Sequence, residues 1–271
     1  MIFKKLKSKF FVNMIHFKAL CKRYVSLICA NKLSLLTLVL QAPVMVIVIK
    51  LACSKTFEAW YAPTTMFVIS AICVIMATLN SYREVCKERD VLIREINAGL
   101  DSTAYILSKF FVQTIICFLQ ALVIVAGSIL IIDFNITDPI VYVRYFLFTF
   151  LILVSATCFG LFVSTILKSS ESAILPILFV IIAQVVFSGV IIKLEGGMKY
   201  ISYIVISRWA VGGYSHIFNF KGLVGAETVP TLDGLIYQTP FYVDVLALIL
   251  MSLVCIILSV ISIQKLKKRK A

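Results

Sequence analysis

Long apolar runs alternate with short polar ones along this chain, and the run lengths decide the fold class before any motif is read. Apolar stretches extend from about Leu35 to Ala52, Pro63 to Leu79, Leu107 to Ile131, Tyr145 to Leu167, Ala173 to Ile192 and Val245 to Ile263. Each reaches the roughly 17–25 residues that a helix needs to cross a bilayer. The pattern predicts an all-α integral membrane protein with six transmembrane helices. Three regions follow from it: a basic N-terminal segment over 1–33, a six-span domain over 34–263, and a basic tail over 264–271.

The polar segments differ in kind. Before the first span, Phe17, Leu20, Cys21, Tyr24, Val25 and Ile28 recur at helical spacing, with Lys18, Lys22 and Arg23 off that stripe. This predicts an amphipathic helix lying along the inner membrane surface, apolar face down. Between the second and third spans the stretch REVCKERDVLIRE, from Arg83 to Glu95, carries charge on every side except a narrow seam of Val85, Leu92 and Ile96. A short charged helix is expected there, ending near Gly99, with Asp101 or Ser102 capping the next helix. Pro43 predicts a kink in the first span. The stretch from Lys168 to Ser172 reads as a tight hydrophilic turn. The longest polar segment runs from Lys193 to Asp244, and long outer loops commonly cover or gate something.

Composition agrees with the run lengths. The chain is 61% hydrophobic and 14% charged, against about 25% charged in soluble domains. Its net charge of +13 changes the picture only through placement. With both termini in the cytoplasm, the outer side holds Lys50, Lys55, Arg144, Lys193, Lys199, Arg208 and Lys221, and the remaining basic residues fall inside. That excess predicts a multi-pass plasma-membrane protein with cytoplasmic termini. The basic residues then serve topology and lipid phosphates, and nucleic acid is not an expected partner. Eight cysteines show no C-x-x-C spacing, so neither a metal site nor a disulfide framework is expected. The N-terminal lysines are too spread out for a cleavable signal peptide.

Chemistry is sparse. No segment fits G-x-x-x-x-G-K-[ST], H-E-x-x-H or G-x-S-x-G, and no catalytic or metal-binding residue is expected. His16 and His216 fall on opposite predicted sides. No Asp or Glu lies mid-span, which argues against an ion-coupled carrier. Among Gln41, Gln113, Gln120 and Gln184, helix-to-helix hydrogen bonding is the default role, and Gln184 is the candidate to face a pathway. A membrane protein that moves something but holds no energy source needs a separate energising subunit. The charged stretch Arg83–Glu95 is its natural docking surface. A membrane-embedded enzyme and a scaffold or receptor are the competing readings.

The motifs also resemble a known family. They are Gln41-Ala42-Pro43 in the first span, Glu88-Arg89 with Val91-Leu92-Ile93 and Arg94-Glu95, Ala104-Tyr105 with Ser108-Lys109, Phe187-Ser188-Gly189, and Arg208-Trp209-Ala210. In this order, and over nearly all of residues 14–263, the chain is similar to the membrane domain of G-subfamily (White-type) ABC exporters, the type-2 ABC permeases. The resemblance implies a permease working as a homo- or heterodimer, with a connecting helix before the first span. It implies ATP and Mg bound by a partner ATPase and no cofactor in this chain. Glu88, Arg89, Arg94 and Glu95 would form a coupling helix resting on that ATPase. Phe187, Ser188 and Gly189 would precede an upper plug of Val190 and Ile191. The Arg208-Trp209-Ala210 segment would belong to a re-entrant region. The family often fuses its ATPase to the N-terminus of the same chain; none is present in these residues, so a stand-alone permease or a separated half is implied. Val205-Ile206-Ser207 stands where a proline usually precedes the Arg-Trp-Ala segment.

Overall fold

The computed structural model describes residues 14–53, 57–134, 136, 138–167, 169, 174–192, 196–223 and 235–268. The basic residues at 1–13, most of the hydrophilic turn at 168–172, part of the long loop and the end of the tail lie outside the described residues. Among the described residues all regular structure is helical. The chain forms α1 (Met14–Ala30), α2 (Lys32–Ala52), α3 (Ala62–Ser81), α4 (Arg89–Asn97), α5 (Ser102–Ile131), α6 (Pro139–Ile166), α7 (Ile174–Val186), α8 (Met198–Ser202), α9 (Ile206–Ile217) and α10 (Phe241–Lys268). Short 3-10 turns lie at Cys86–Glu88, Phe220–Gly222 and Leu235–Tyr237.

Five of these helices, α2, α3, α5, α6 and α10, are long and apolar enough to cross a membrane. They match the first four predicted spans and the last. Lipid offers the backbone no hydrogen-bond partner, so a spanning segment must close its bonds within itself, as these helices do. The expected fifth span is different. Its helix, α7, is described over 13 residues, about 20 Å at 1.5 Å per residue, against roughly 30 Å of hydrocarbon. It stops at Val186 and turns at Gly189, whose φ of 82° lies in the left-handed region that glycine adopts without a steric penalty.

Local signals explain the helix ends. Asn31 caps α2 through a bond from the Ser34 N–H, Asp101 caps α5 through the Thr103 N–H, and Asp138 caps α6 through the Ile140 N–H, with Pro139 in the first turn. These carboxylates and the amide accept donors that the first helical turn leaves open.

Packing centres on α6, which lies against α3, α5, α9 and α10. The spans α2 and α7 are peripheral: α2 buries only Ala42 and Ile49, and α7 only Ile177 and Gln184. One end of the bundle holds an aromatic cluster. Phe134 stacks on Phe218 at 4.8 Å, Phe57 meets Phe134 edge-on at 5.0 Å, and Tyr145 meets Phe218 at 5.1 Å and Tyr214 at 5.6 Å. The other end holds α1, α4 and most of the charge. The amphipathic stripe of α1 was expected to face lipid; instead Leu20 and Tyr24 are buried, and Phe17 packs edge-on to Phe111 of α5 at 5.9 Å. An apolar stripe does not say whether lipid or protein covers it, and here α5 covers much of it.

Candidate functional site

The charged end is built around one lysine. Lys109, about two turns into α5, has a side chain only 3% exposed. Its Nζ lies 2.9 Å from Glu88 Oε1 and 3.6 Å from Glu84 Oε2, and 3.9 Å from the centre of the Tyr24 ring. A lone buried ammonium would be costly, and two carboxylates and an aromatic face offset that cost. Glu84 also meets Lys87 at 2.6 Å, and Glu88 accepts a bond from the Tyr105 hydroxyl at 3.1 Å. Arg23 of α1 pairs with Glu95 and reaches Glu88 at 4.0 Å. Its bond to Glu95 holds the guanidinium above its ordinary pKa. Burial raises the Tyr24 phenol well above its usual range, so it stays a neutral hydroxyl that accepts from Gln113 at 2.9 Å.

Backbone contacts fix α4 in this network. The N–H groups of Val85 and Cys86 both donate to Ser164 Oγ of α6, at 2.9 and 3.1 Å. Arg89 donates to the Leu167 and Thr165 carbonyls at the end of α6, which satisfies acceptors that the helix terminus leaves open. Val85, Leu92 and Ile96 are all buried, as the seam predicted. The four charged residues named from the sequence therefore divide. Glu88, Arg89 and Glu95 are tied to their own chain, whereas Arg94 is exposed and its Nε reaches only the Asp90 carbonyl of its own helix. The open face of this segment is Lys87, Asp90, Val91, Arg94, Asn97 and Ala98.

At the aromatic end, α7, α8 and α9 meet. Gln184 is buried, and its side-chain oxygen accepts from the Ser207 N–H at 3.2 Å. Val205, the residue before α9, offers no side-chain cap, so Gln184 caps that helix from another part of the chain. Ser188 is buried and donates to the Val185 carbonyl at 2.8 Å. Phe187 and Gly189 are half-buried, Val190 packs against the core, and Ile191 is exposed. Trp209 Nε1 donates to the Tyr203 carbonyl at 2.9 Å, which pins α9 to the turn after α8. His16 stands at the charged end beside Asp101, and His216 at the other beside Thr239. Among the described residues no cluster of His, Cys, Asp or Glu is arranged to hold a metal ion.

The model of the ABC-2 type transporter family matches residues 15–219, which takes in the charged end, the central spans and α9. The chain belongs to the ABC-2 type transporter family. It is also similar to the ABC transporter ATP-binding/permease protein Rv1747 of Mycobacterium tuberculosis, with 30% identity over 165 residues. That match covers 58% of this chain and 19% of the relative, so this chain corresponds to a small part of the longer protein. The all-α membrane fold and the transporter family read from the motifs hold.

Sequence reasoning missed Lys109 as a hub. The residue sits inside an apolar run, and its partners lie 21 and 25 positions earlier in the chain. The available signals were its charge within a predicted span and its place in the Ala104-Tyr105, Ser108-Lys109 motif, neither of which names its partners.

Proposed function

We propose that this ABC-2 family chain is the permease subunit of an ATP-driven exporter of the G-subfamily type. Two permease copies form the translocation pathway, and a partner ATPase, which binds ATP and Mg, drives them from the cytoplasmic side. The observation that carries this reading is the two-sided character of α4. Its inner face is anchored by Leu92, Ile96 and the Glu88–Lys109 pair, while Asp90, Val91 and Arg94 are open to a partner. A helix held so firmly on one side transmits a push received on the other. The route runs through Glu88 and Lys109 into α5, and through Ser164 and Arg89 into α6.

The name of the mycobacterial relative joins ATP binding and permease in one protein. The present residues contain no P-loop sequence, so the ATP-binding part of this proposal lies outside them. The excess of Lys and Arg beside α1, α4 and α10 supports cytoplasmic termini and contact with inner-leaflet lipid. The exposed apolar faces of α2 and α7 are free for lipid or for the second protomer. Gln184, Val190 and Ile191 lie where α7 gives way to the outer segment, which supports an apolar outer gate and a hydrophobic or amphipathic cargo.

The test is charge reversal on the open face. Asp90→Lys with Arg94→Glu should leave the protein inserted and folded but abolish co-purification with the ATPase and the stimulation of its hydrolysis. Unchanged co-purification and stimulation would overturn the docking assignment. Val190→Ala with Ile191→Ala should raise basal ATPase activity and cargo leak, and an unaltered leak counts against the gate.

A further inference from the structure

At the end opposite α4, two charged side chains are buried without being joined. Arg208 on α9 is 2% exposed and Asp244 in the first turn of α10 is 1% exposed. Arg208 Nη1 donates to Ser202 Oγ, and the guanidinium lies over the Tyr203 ring at 4.2 Å and beside the Trp209 ring at 5.3 Å. Asp244 Oδ1 accepts from the Thr239 hydroxyl at 3.0 Å. Arg208 Nε and Asp244 Oδ2 are both buried and have no hydrogen-bond partner. Each group lies within electrostatic range of the other, yet no ion-pair contact connects them.

Buried polar atoms in a folded protein are nearly always bonded, and an exception asks for a reason. Here the missing partners are complementary: one N–H donor and one carboxylate acceptor. Gly212 shows where the carboxylate sits. It lies one helical turn after Arg208, and a Cβ there would meet Asp244 Oδ1 at 3.0 Å and Oδ2 at 3.2 Å. The carboxylate thus rests on the bare backbone of α9, at a residue one helical turn along from Arg208. Slides of one turn between packed helices are a known kind of switching movement.

We propose that Arg208 and Asp244 are a split ion pair that closes, Arg208 Nε to Asp244 Oδ2, in another conformation of the transport cycle. The two residues thereby position α9 against the last span as the pathway changes state. This rests on the permease reading above.

The experiment uses the full chain in lipid nanodiscs, alone and with its co-purified ATPase. Asp244→Asn removes the unpaired charge of the present conformation, so its melting temperature should rise, by about 2–4 °C. ATPase turnover in the complex should fall roughly fivefold or more, the low end of ordinary coupling between sites. Arg208→Gln combined with Asp244→Asn should be no slower than the slower single variant, because both remove the same closed state. A fall in melting temperature for Asp244→Asn marks a merely structural carboxylate and overturns the proposal. So do single-variant losses that multiply in the double variant. A wild-type chain that neither captures nor stimulates an ATPase overturns the permease reading instead. The Asp244→Asn melting shift then decides the pair by its sign.

Discussion

Both ends of this bundle bury charge, and they do so in opposite ways. At the α4 end the charges gathered around Lys109 all have ion-pair partners: Lys109 has carboxylates at 2.9 and 3.6 Å, Glu84 meets Lys87 and Glu95 meets Arg23, although Glu84 Oε2 and Glu95 Oε2 accept no hydrogen bond. At the α9 end, Arg208 and Asp244 each keep an open hydrogen-bonding atom. A network of matched charges resists movement, because displacement separates ion pairs in a low-dielectric setting. An open pair favours movement, because displacement can make one. Under the permease proposal, the matched end is the one that receives force and the unmatched end the one that rearranges.

The comparison breaks most decisively at Lys109. Lys109→Met removes the cation that Glu84 and Glu88 share, leaving Lys87 on Glu84 and the more distant Arg23 on Glu88, and removing one partner of a buried pair costs about 3–5 kcal/mol. Unfolding in mixed micelles should register that loss, and a variant as stable as wild type would show the network to be ornamental. The opposite end should respond less. Gly212→Ala sets a methyl group against the Asp244 carboxylate and the Ile236 carbonyl, an overpacking cost of about 1–3 kcal/mol. The cost should shrink in combination with Asp244→Ala, and strict additivity would show that the two do not touch. Smaller again is Gln184→Leu, which leaves the Ser207 N–H uncapped and should cost about 1 kcal/mol. Hydrogen exchange confined to the first turn of α9 checks it. Least of all, Arg94→Glu should change stability by no more than about 0.5 kcal/mol while weakening ATPase association. A large stability loss would place Arg94 inside the network.

Much of this was legible beforehand. The seam at Val85, Leu92 and Ile96 follows helical period, and all three are buried. Of the two cap candidates, Asp101 and Ser102, Asp101 caps α5. The helix ends fall within six residues of the apolar run ends, mostly by extending beyond them; α7 instead stops six residues short, where an apolar run concealed a helix stop at Phe187–Gly189. Apolar character continues through Ile192, and hydropathy does not register a turn made by a single glycine. The charged residues of α4 were legible as a group but not individually. Glu88 and Glu95 look like Arg94 in the sequence, and only the arrival of α1 and α5 distinguishes them. Asp244 sat at the edge of an apolar run and read as a loop residue, and α9 and the Thr239 turn bury it.

What the sequence determined by itself is the class of molecule and its helices. In hydrocarbon each helix must satisfy its own backbone, so local composition and run length suffice. What only the tertiary structure decided is which charges are matched. Arg23 meets Glu95 across 72 positions and Gln184 meets Ser207 across 23, while Arg208 and Asp244 come near each other and stay apart. Pairing depends on distances of a few ångströms between side chains on different helices, and no local pattern encodes those distances.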